Sequence, residues 1–244
     1  MAFVKITEQP SLYDNLEKKS VLEILQDINT EDQKVALAVK KAIPQIEKLV
    51  SQIVPRMKQG GRIFYMGAGT SGRLGVLDAS EIPPTFGMPP TLVIGLIAGG
   101  DTALRNPVEN AEDDMNRGWE ELKEHNINEK DTVIRIAASG TTPYVIGALH
   151  AAREHGILTG SISSNPDSPI SKEADVAIEM IAGMGMTVGQ EVFDTCVWIG
   201  RFWQTVLWQA GYGPTQIFRR EEKLDLCGSL SAKDANIRQA KLAP

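Results

Sequence analysis

One stretch, Arg62 to Gly87, limits what this chain can fold into more than any other. Ile63-Phe64-Tyr65-Met66 is a short apolar run bounded by glycines, which reads as a buried strand. Gly67-Ala68-Gly69-Thr70-Ser71-Gly72 follows, and Leu74, Val76 and Leu77 then predict a helix. A strand, a tight glycine loop and a helix N-terminus make an anion site. Unpaired backbone N–H groups and the positive end of the helix dipole converge on the loop. Thr70 and Ser71 add hydroxyl donors, and Gly69 and Gly72 let the backbone come close to the bound group. The stretch reads as a phosphate cradle.

Further strands are expected at Thr91–Ile97, Thr132–Ala137, Leu158–Ser163 and Asp175–Met180. Helices are expected over Asn110–Glu124, through its Met115, Trp119 and Leu122, and over Tyr144–His155. Before the cradle, Val21, Leu22, Ile24 and Leu25 predict a short helix ending near Asn29. Thr30 to Gln33 then fits a capping box for a second helix. That helix would carry an apolar stripe of Leu37, Ile43, Ile46, Val50, Ile53 and Met57, be kinked by Pro44 and stop at Gly60-Gly61. Residues 1–19 read as an arm or partner-contacting segment. Strands alternating with helices imply an α/β fold, a mainly parallel sheet covered on both faces. Ligands of such sheets collect at the carboxyl ends of the strands. The cradle and a second hydroxyl-rich loop, Ser139-Gly140-Thr141-Thr142, both fall there, so a single site is expected.

Composition narrows the partners. A net charge of −6 with no run of five or more basic residues gives no footing for nucleic acid. No apolar stretch approaches the roughly eighteen residues that a membrane span requires, and the N-terminus lacks the apolar core of a signal peptide. Cys196 and Cys227 lack zinc spacing, and no histidine or cysteine pair forms a metal site or a nucleophile–base arrangement. A cytoplasmic protein with reduced thiols and no metal is expected. Beyond Gly183 the composition shifts: Trp198, Trp203, Trp208 and both cysteines lie there, with an apolar helical piece around Val192–Trp208.

Gly67-x-Gly69-x-x-Gly72 also matches the dinucleotide fingerprint, yet no acid closes the next strand to hold a ribose; the first is Asp101, after a loop. Sugar phosphate, dinucleotide and a purely structural turn remain open on these residues. Glu81, before Pro83-Pro84, reads as a carboxylate on a stiff turn after the helix, suited to proton transfer or to a surface cap. Glu112 falls among acids that would suit the first turn of the Asn110–Glu124 helix.

The ordered segments GAGTSGRLGVLDASE (67–81), PPTFG (83–87), IAGG (97–100), AED (111–113), IAASG (136–140) and TPYVI (142–146) resemble the N-acetylmuramic acid 6-phosphate etherase family. That family has the sugar-isomerase (SIS) fold, and the glucokinase regulatory protein is a relative. The resemblance runs from Ile6 to Ile181. It implies an SIS-type αβα sandwich with a five-stranded sheet, N-terminal helices within 1–58, a sugar-phosphate-binding core at 59–182, and a divergent helical or partly disordered tail at 183–244. It implies a cofactor-free, homodimeric, cytoplasmic lyase of peptidoglycan recycling that splits the substrate into N-acetylglucosamine 6-phosphate and D-lactate. Glu81 and Glu112 would be its catalytic carboxylates, and Gly69, Thr70, Ser71, Gly72, Ser139, Gly140, Thr141 and Thr142 its phosphosugar loops. A regulatory sugar-phosphate sensor and a phosphosugar isomerase share the fold. Two departures stand out. Thr141 replaces an arginine common in the family. The tail lacks the family's Gly-Pro-Glu segment and basic helix, so residues completing the site or subunit contact are expected to be missing.

Overall fold

The computed structural model describes residues 3–183, 206–207 and 209–211. Its centre is a five-stranded parallel sheet: β1 (Ile63–Gly67), β2 (Val93–Ile97), β3 (Thr132–Ile136), β4 (Leu158–Ser163) and β5 (Val176–Glu179), in the order β2-β1-β3-β4-β5. Parallel neighbours need crossovers, and helices supply them on both faces. α1 (Val21–Lys58) and α2 (Gly69–Phe86) cover one face, burying Leu49, Ile53, Met57 and Ile82 against Ile63, Tyr65, Ile134 and Ile162. α4 (Arg117–Glu124), α5 (Pro143–Glu154) and α6 (Pro169–Glu173) cover the other, closing over Phe64, Met66 and Val133. A single turn, α3 (Thr102–Arg105), follows β2. Strand positions agree with the sequence to within two residues. Most of what was expected of the tail lies outside the described residues; Val206, Leu207 and Ala210 are buried in the α1 face.

Three helix expectations are corrected. α1 is one continuous helix and not two. Its start is a capping box at Ser20, whose Oγ accepts from Glu23 N (3.3 Å) while Glu23 Oε2 accepts from Ser20 N (2.8 Å). Thr30 caps nothing: its hydroxyl donates to Gln26 O one turn back (2.8 Å), which a helix interior permits. Of the expected stripe, Val50, Ile53 and Met57 are buried and Ile46 packs against the core, but Leu37 and Ile43 are exposed; Val35, Val39, Ala42 and Leu49 complete the buried line. Second, α2 does not end before Pro83-Pro84. Proline φ is compatible with a helix, and although each ring removes a donor and crowds the carbonyl one turn back, buried Ile82 and Phe86 hold the last turn in the core. Third, the helix expected from Asn110 begins only at Arg117. Asn110 takes a left-handed φ of 61°, and Asp114 Oδ1 accepts from Asn116 N (2.9 Å) and Arg117 N (3.1 Å), starting the helix late.

At the amino edge of the sheet, buried Asp131 fixes β1 beside β3. It accepts from Arg62 N (2.8 Å), Nε (3.2 Å) and a terminal guanidinium nitrogen (2.7 Å), and from Asn128 N (3.0 Å) and Nδ2 (3.1 Å). Arg135, in the middle of β3, is the opposite case. It is fully buried, and none of its three side-chain nitrogens has a hydrogen-bond partner among the described residues. Burial drives its pKa far down, with only the Tyr144 hydroxyl acting the other way. An uncompensated guanidinium in the core is a net cost. Arg135→Leu should therefore raise the unfolding free energy by about 2–4 kcal/mol in urea titrations at neutral pH; unchanged stability would mean that the guanidinium is held by a partner.

Candidate active site

The cradle forms where β1 turns into α2. Ala68 stands at the N-cap, and Gly69, Thr70 and Ser71 occupy the first turn, whose N–H groups have no carbonyl one turn back. Thr70 is exposed and Ser71 buried. Gly72 N already donates to Ala68 O (3.2 Å), so its role is contact: a Cβ there would lie 2.7 Å from Gly67 O and 2.6 Å from Ile97 Cγ1. Four residues of the expected loop thus divide into a first helical turn, Gly69 to Ser71, and a packing glycine.

The Ser139–Thr142 loop leaves β3, whose Ile136 pairs with Gly67 of β1. The two loops therefore start from neighbouring strands, roughly 4.8 Å apart. Ser139 Oγ and Thr141 Oγ1 are hydrogen-bonded to each other at 3.0 Å. Gly140 has φ 71°, its N–H donates to Ala137 O (3.0 Å), and a Cβ would strike Ser168 Cβ at 2.4 Å, so only glycine closes this turn. Thr142 is the N-cap residue of α5 and Pro143 its first helical residue. Proline has no N–H, and Tyr144 N is occupied. The start of α5 therefore adds no backbone donor beyond the loop's own N–H groups, and the loop's hydroxyls stand out.

Tyr144 N donates to Glu112 O (2.9 Å), which holds the Glu112 loop on the N-terminus of α5, immediately after Thr142. The following backbone lies so close to α5 that a Cβ on residue 147 would come within 1.8 Å of Met115 O. Glu112 is exposed, in a turn and not in the first turn of a helix as expected. Within one chain the structure thus brings the backbone of Glu112 to the start of α5, next to the end of the hydroxyl loop. It does not bring Glu81 there. Glu81 is exposed in the interior of α2, twelve residues past Gly69, or ~18 Å down the helix axis. The stiff turn expected at Glu81 is absent because α2 runs through the prolines.

Sequence reasoning missed Asp78. It lies one turn before Glu81 on the flank of α2 that carries Gly75, Ala79 and Ile82 against the sheet. Its carboxyl is pushed up to about 7, chiefly by burial; the Tyr65 hydroxyl offsets part of this and the charge of Glu81 adds to it. An acid among glycine, alanine and isoleucine on the buried side of a helix was the available signal. Asn165, also missed, is fully buried behind the Ser139 loop. Among the described residues no group of three or more His, Cys, Asp or Glu could hold a metal ion, and no helix is long and apolar enough to cross a membrane.

Residues 45–153 match the family model described as the glucokinase regulatory protein N-terminal SIS domain, and residues 120–200 match the SIS domain model. An N-acetylmuramic acid 6-phosphate etherase of Bacteroides fragilis is 83% identical over 188 residues, which are 77% of this chain and 67% of that protein. The protein so named from Bacteroides thetaiotaomicron is 79% identical over 189 residues, 78% of this chain and 68% of its own. One from Porphyromonas gingivalis is 73% identical over 187, covering 77% and 68%. Among solved structures, phosphoheptose isomerase GmhA of Neisseria gonorrhoeae superposes with TM-score 0.61 at 15% identity, covering 77% of this chain and 98% of its own. The Vibrio vulnificus NanR protein complexed with ManNAc-6P superposes with TM-score 0.56 at 16% identity, covering 85% and 73%. These two likenesses establish the SIS fold.

The proton on Asp78 gives a test of its burial. The folded protein binds this proton more tightly than the unfolded chain, whose aspartates titrate near ~3.9. Stability from this group is therefore complete below that value and lost as pH rises through about 7. Relative to Asp78→Asn, the unaltered protein should lose up to about 4 kcal/mol between the two pKa values, seen as urea midpoints that diverge from about pH 4 to about pH 7 and stay parallel above it.

Proposed function

The chain belongs to the N-acetylmuramic acid 6-phosphate etherase family, and we propose that its lyase chemistry uses Glu112 of one copy with Glu81 of a second. It is a carbon–oxygen lyase of amino-sugar catabolism in peptidoglycan recycling, cleaving the D-lactyl ether of its phosphosugar substrate. In the proposed reaction the hydroxyls of Thr70, Ser71, Ser139, Thr141 and Thr142, with the first N–H groups of α2, hold the 6-phosphate. With the sugar ring open, the C2 proton lies beside an aldehyde and is acidic. Glu112 removes it, the electron pair forms the C2–C3 double bond, and the C3–O bond breaks toward the lactyl oxygen. Glu81 protonates that oxygen, releasing D-lactate. Water then adds across the double bond to give N-acetylglucosamine 6-phosphate. One carboxyl must be ionised and the other protonated for this sequence.

The observation that supports this reading is the backbone bond from Tyr144 N to Glu112 O, which fastens the main chain of Glu112 next to the end of the hydroxyl loop. The position of Glu81 supports the second copy. An acid that far down α2 cannot meet a sugar held at the top of its own helix. A partner crossing the outer face of α2 would cover the exposed Leu77 along with Glu81, and Leu22 and Leu25 near the start of α1 are exposed in the same way. The division into an arm and helix at 1–58 and a binding core at 59–182 is part of this proposal. So is the cytoplasmic location, since a phosphorylated sugar does not cross a membrane unaided.

Glu81→Gln and Glu112→Gln should each lower D-lactate release from N-acetylmuramic acid 6-phosphate by about a hundredfold or more. Mixing the two inactive variants and allowing subunits to exchange should restore about a quarter of the parent rate. Half the dimers are then hybrids with one intact site of two. No recovery on mixing would mean that both acids serve from the same chain.

A further inference from the structure

Behind the hydroxyl loop lies a side chain that the chemistry above does not use. Asn165 follows β4, is fully buried, and engages every polar atom of its amide. Its Oδ1 accepts from Ile6 N (2.6 Å) and Thr7 N (3.1 Å). Its Nδ2 donates to Thr7 Oγ1 (2.9 Å), Ser139 O (3.1 Å) and Ala138 O (3.4 Å). Two backbone N–H groups can be met only by the oxygen end, so the amide has one orientation and its nitrogen must face the loop. One planar group thus joins the N-terminal segment to the loop that would hold the phosphate.

The direction of those bonds matters. A carbonyl oxygen turned toward a phosphate would repel it. Asn165 draws the carbonyls of Ala138 and Ser139 toward itself. In a trans peptide the N–H points opposite to the C=O, so the Ser139 N–H points away from Asn165. Two further bonds to loop carbonyls agree: Ser164 N donates to Ala138 O (3.1 Å) and Ile170 N to Gly140 O (3.2 Å). The loop is therefore held from behind by its carbonyls, leaving its other side for an anion. The N-terminal segment completes the device. Without Ile6 N and Thr7 N, the buried Oδ1 would lose both of its donors, and that unmet cost would fall on the amide that holds the Ala138 and Ser139 carbonyls.

We propose that Asn165 is a positioning residue for phosphosugar binding, and that Ile6 and Thr7 are part of the substrate site by acting through it. This rests on the reading of the Ser139 loop as a phosphate holder, so the test includes a variant of that loop. Asn165→Asp keeps the acceptor that Ile6 and Thr7 need but puts oxygen where Nδ2 faced two carbonyls. Thr7→Val removes the hydroxyl from the other end. Binding of N-acetylglucosamine 6-phosphate is measured by calorimetry per folded molecule, alongside KM and kcat for D-lactate release. Asn165→Asp should weaken binding and raise KM about tenfold, with kcat changing by less than about threefold; Thr7→Val should do the same in smaller measure. Ser139→Ala is the control. If it leaves binding unchanged, the loop is not a phosphate holder and the proposal falls with that reading. If Ser139→Ala weakens binding while Asn165→Asp and Thr7→Val do not, or if they lower kcat with KM unmoved, the coupling through Asn165 is wrong and the loop assignment stands.

Discussion

Gly67 and Gly72 meet backbone to backbone at the top of β1, and the rest of the site depends on that contact. A side chain at either position would overlap the other's main chain: a Cβ on residue 67 would lie 2.7 Å from Gly72 N, and one on residue 72 would lie 2.7 Å from Gly67 O. Only because both are glycine can α2 begin directly over the end of the strand, with its first N–H groups presented at the sheet edge. Gly75 continues the close approach one turn later, where a Cβ would lie 3.0 Å from Tyr65 Cβ. The helix is thereby set onto the sheet along a line of missing side chains. Its distance from β1 is a steric consequence of sequence, not a matter of which apolar residue fills the gap.

The buried polar groups divide by how well they are met. Asp131, with donors from Arg62 and Asn128, ties the amino ends of β1 and β3 together and lets the loops at their carboxyl ends emerge side by side. Asn165 does comparable work at the carboxyl edge. Asp78 and Arg135 are different: one buried Asp78 oxygen and all three Arg135 side-chain nitrogens lack hydrogen-bond partners among the described residues. For Asp78 a proton removes the charge near neutral pH. Arg135 has no such recourse at an ordinary cost, since a guanidinium holds its proton strongly. Poor satisfaction beside a candidate catalytic acid and poor satisfaction in mid-strand therefore mean different things. The first is compatible with a group that affects Glu81 through charge; the second is a burden on the core.

The sheet was legible because each strand is a short apolar run with turn residues at its ends, and both hydroxyl loops follow such runs directly. The helix limits were less so, each for a local reason. Pro83-Pro84 reads as a stop, yet the apolar anchors Ile82 and Phe86 outweigh the missing donors. Thr30 resembles a cap until its hydroxyl is seen bonded to the preceding turn. Asn110 adopts a left-handed backbone that side-chain periodicity does not encode. Asn165 was invisible for another reason. Its partners, Ile6 and Thr7 on one side and Ala138 and Ser139 on the other, are far away in sequence, and four of its five bonds involve backbone atoms of those residues. A one-dimensional pattern has no trace of such a bridge.

Glu81 shows how a residue can be recognisable while its place in the chemistry is not. The motif that contains it begins at the cradle, and closeness in sequence invites the picture of an acid leaning over the phosphate. A helix rises too steadily for that: twelve residues of α2 carry the chain back past the length of a five-residue strand. The acid therefore ends near the opposite edge of the sheet from the loop it was expected to serve. If Glu81 acts in the reaction, catalysis requires an arrangement in which the foot of one α2 meets the head of another chain's sheet. The active unit is then larger than the fold. Sequence nominates the acids; where they would meet is a question of assembly.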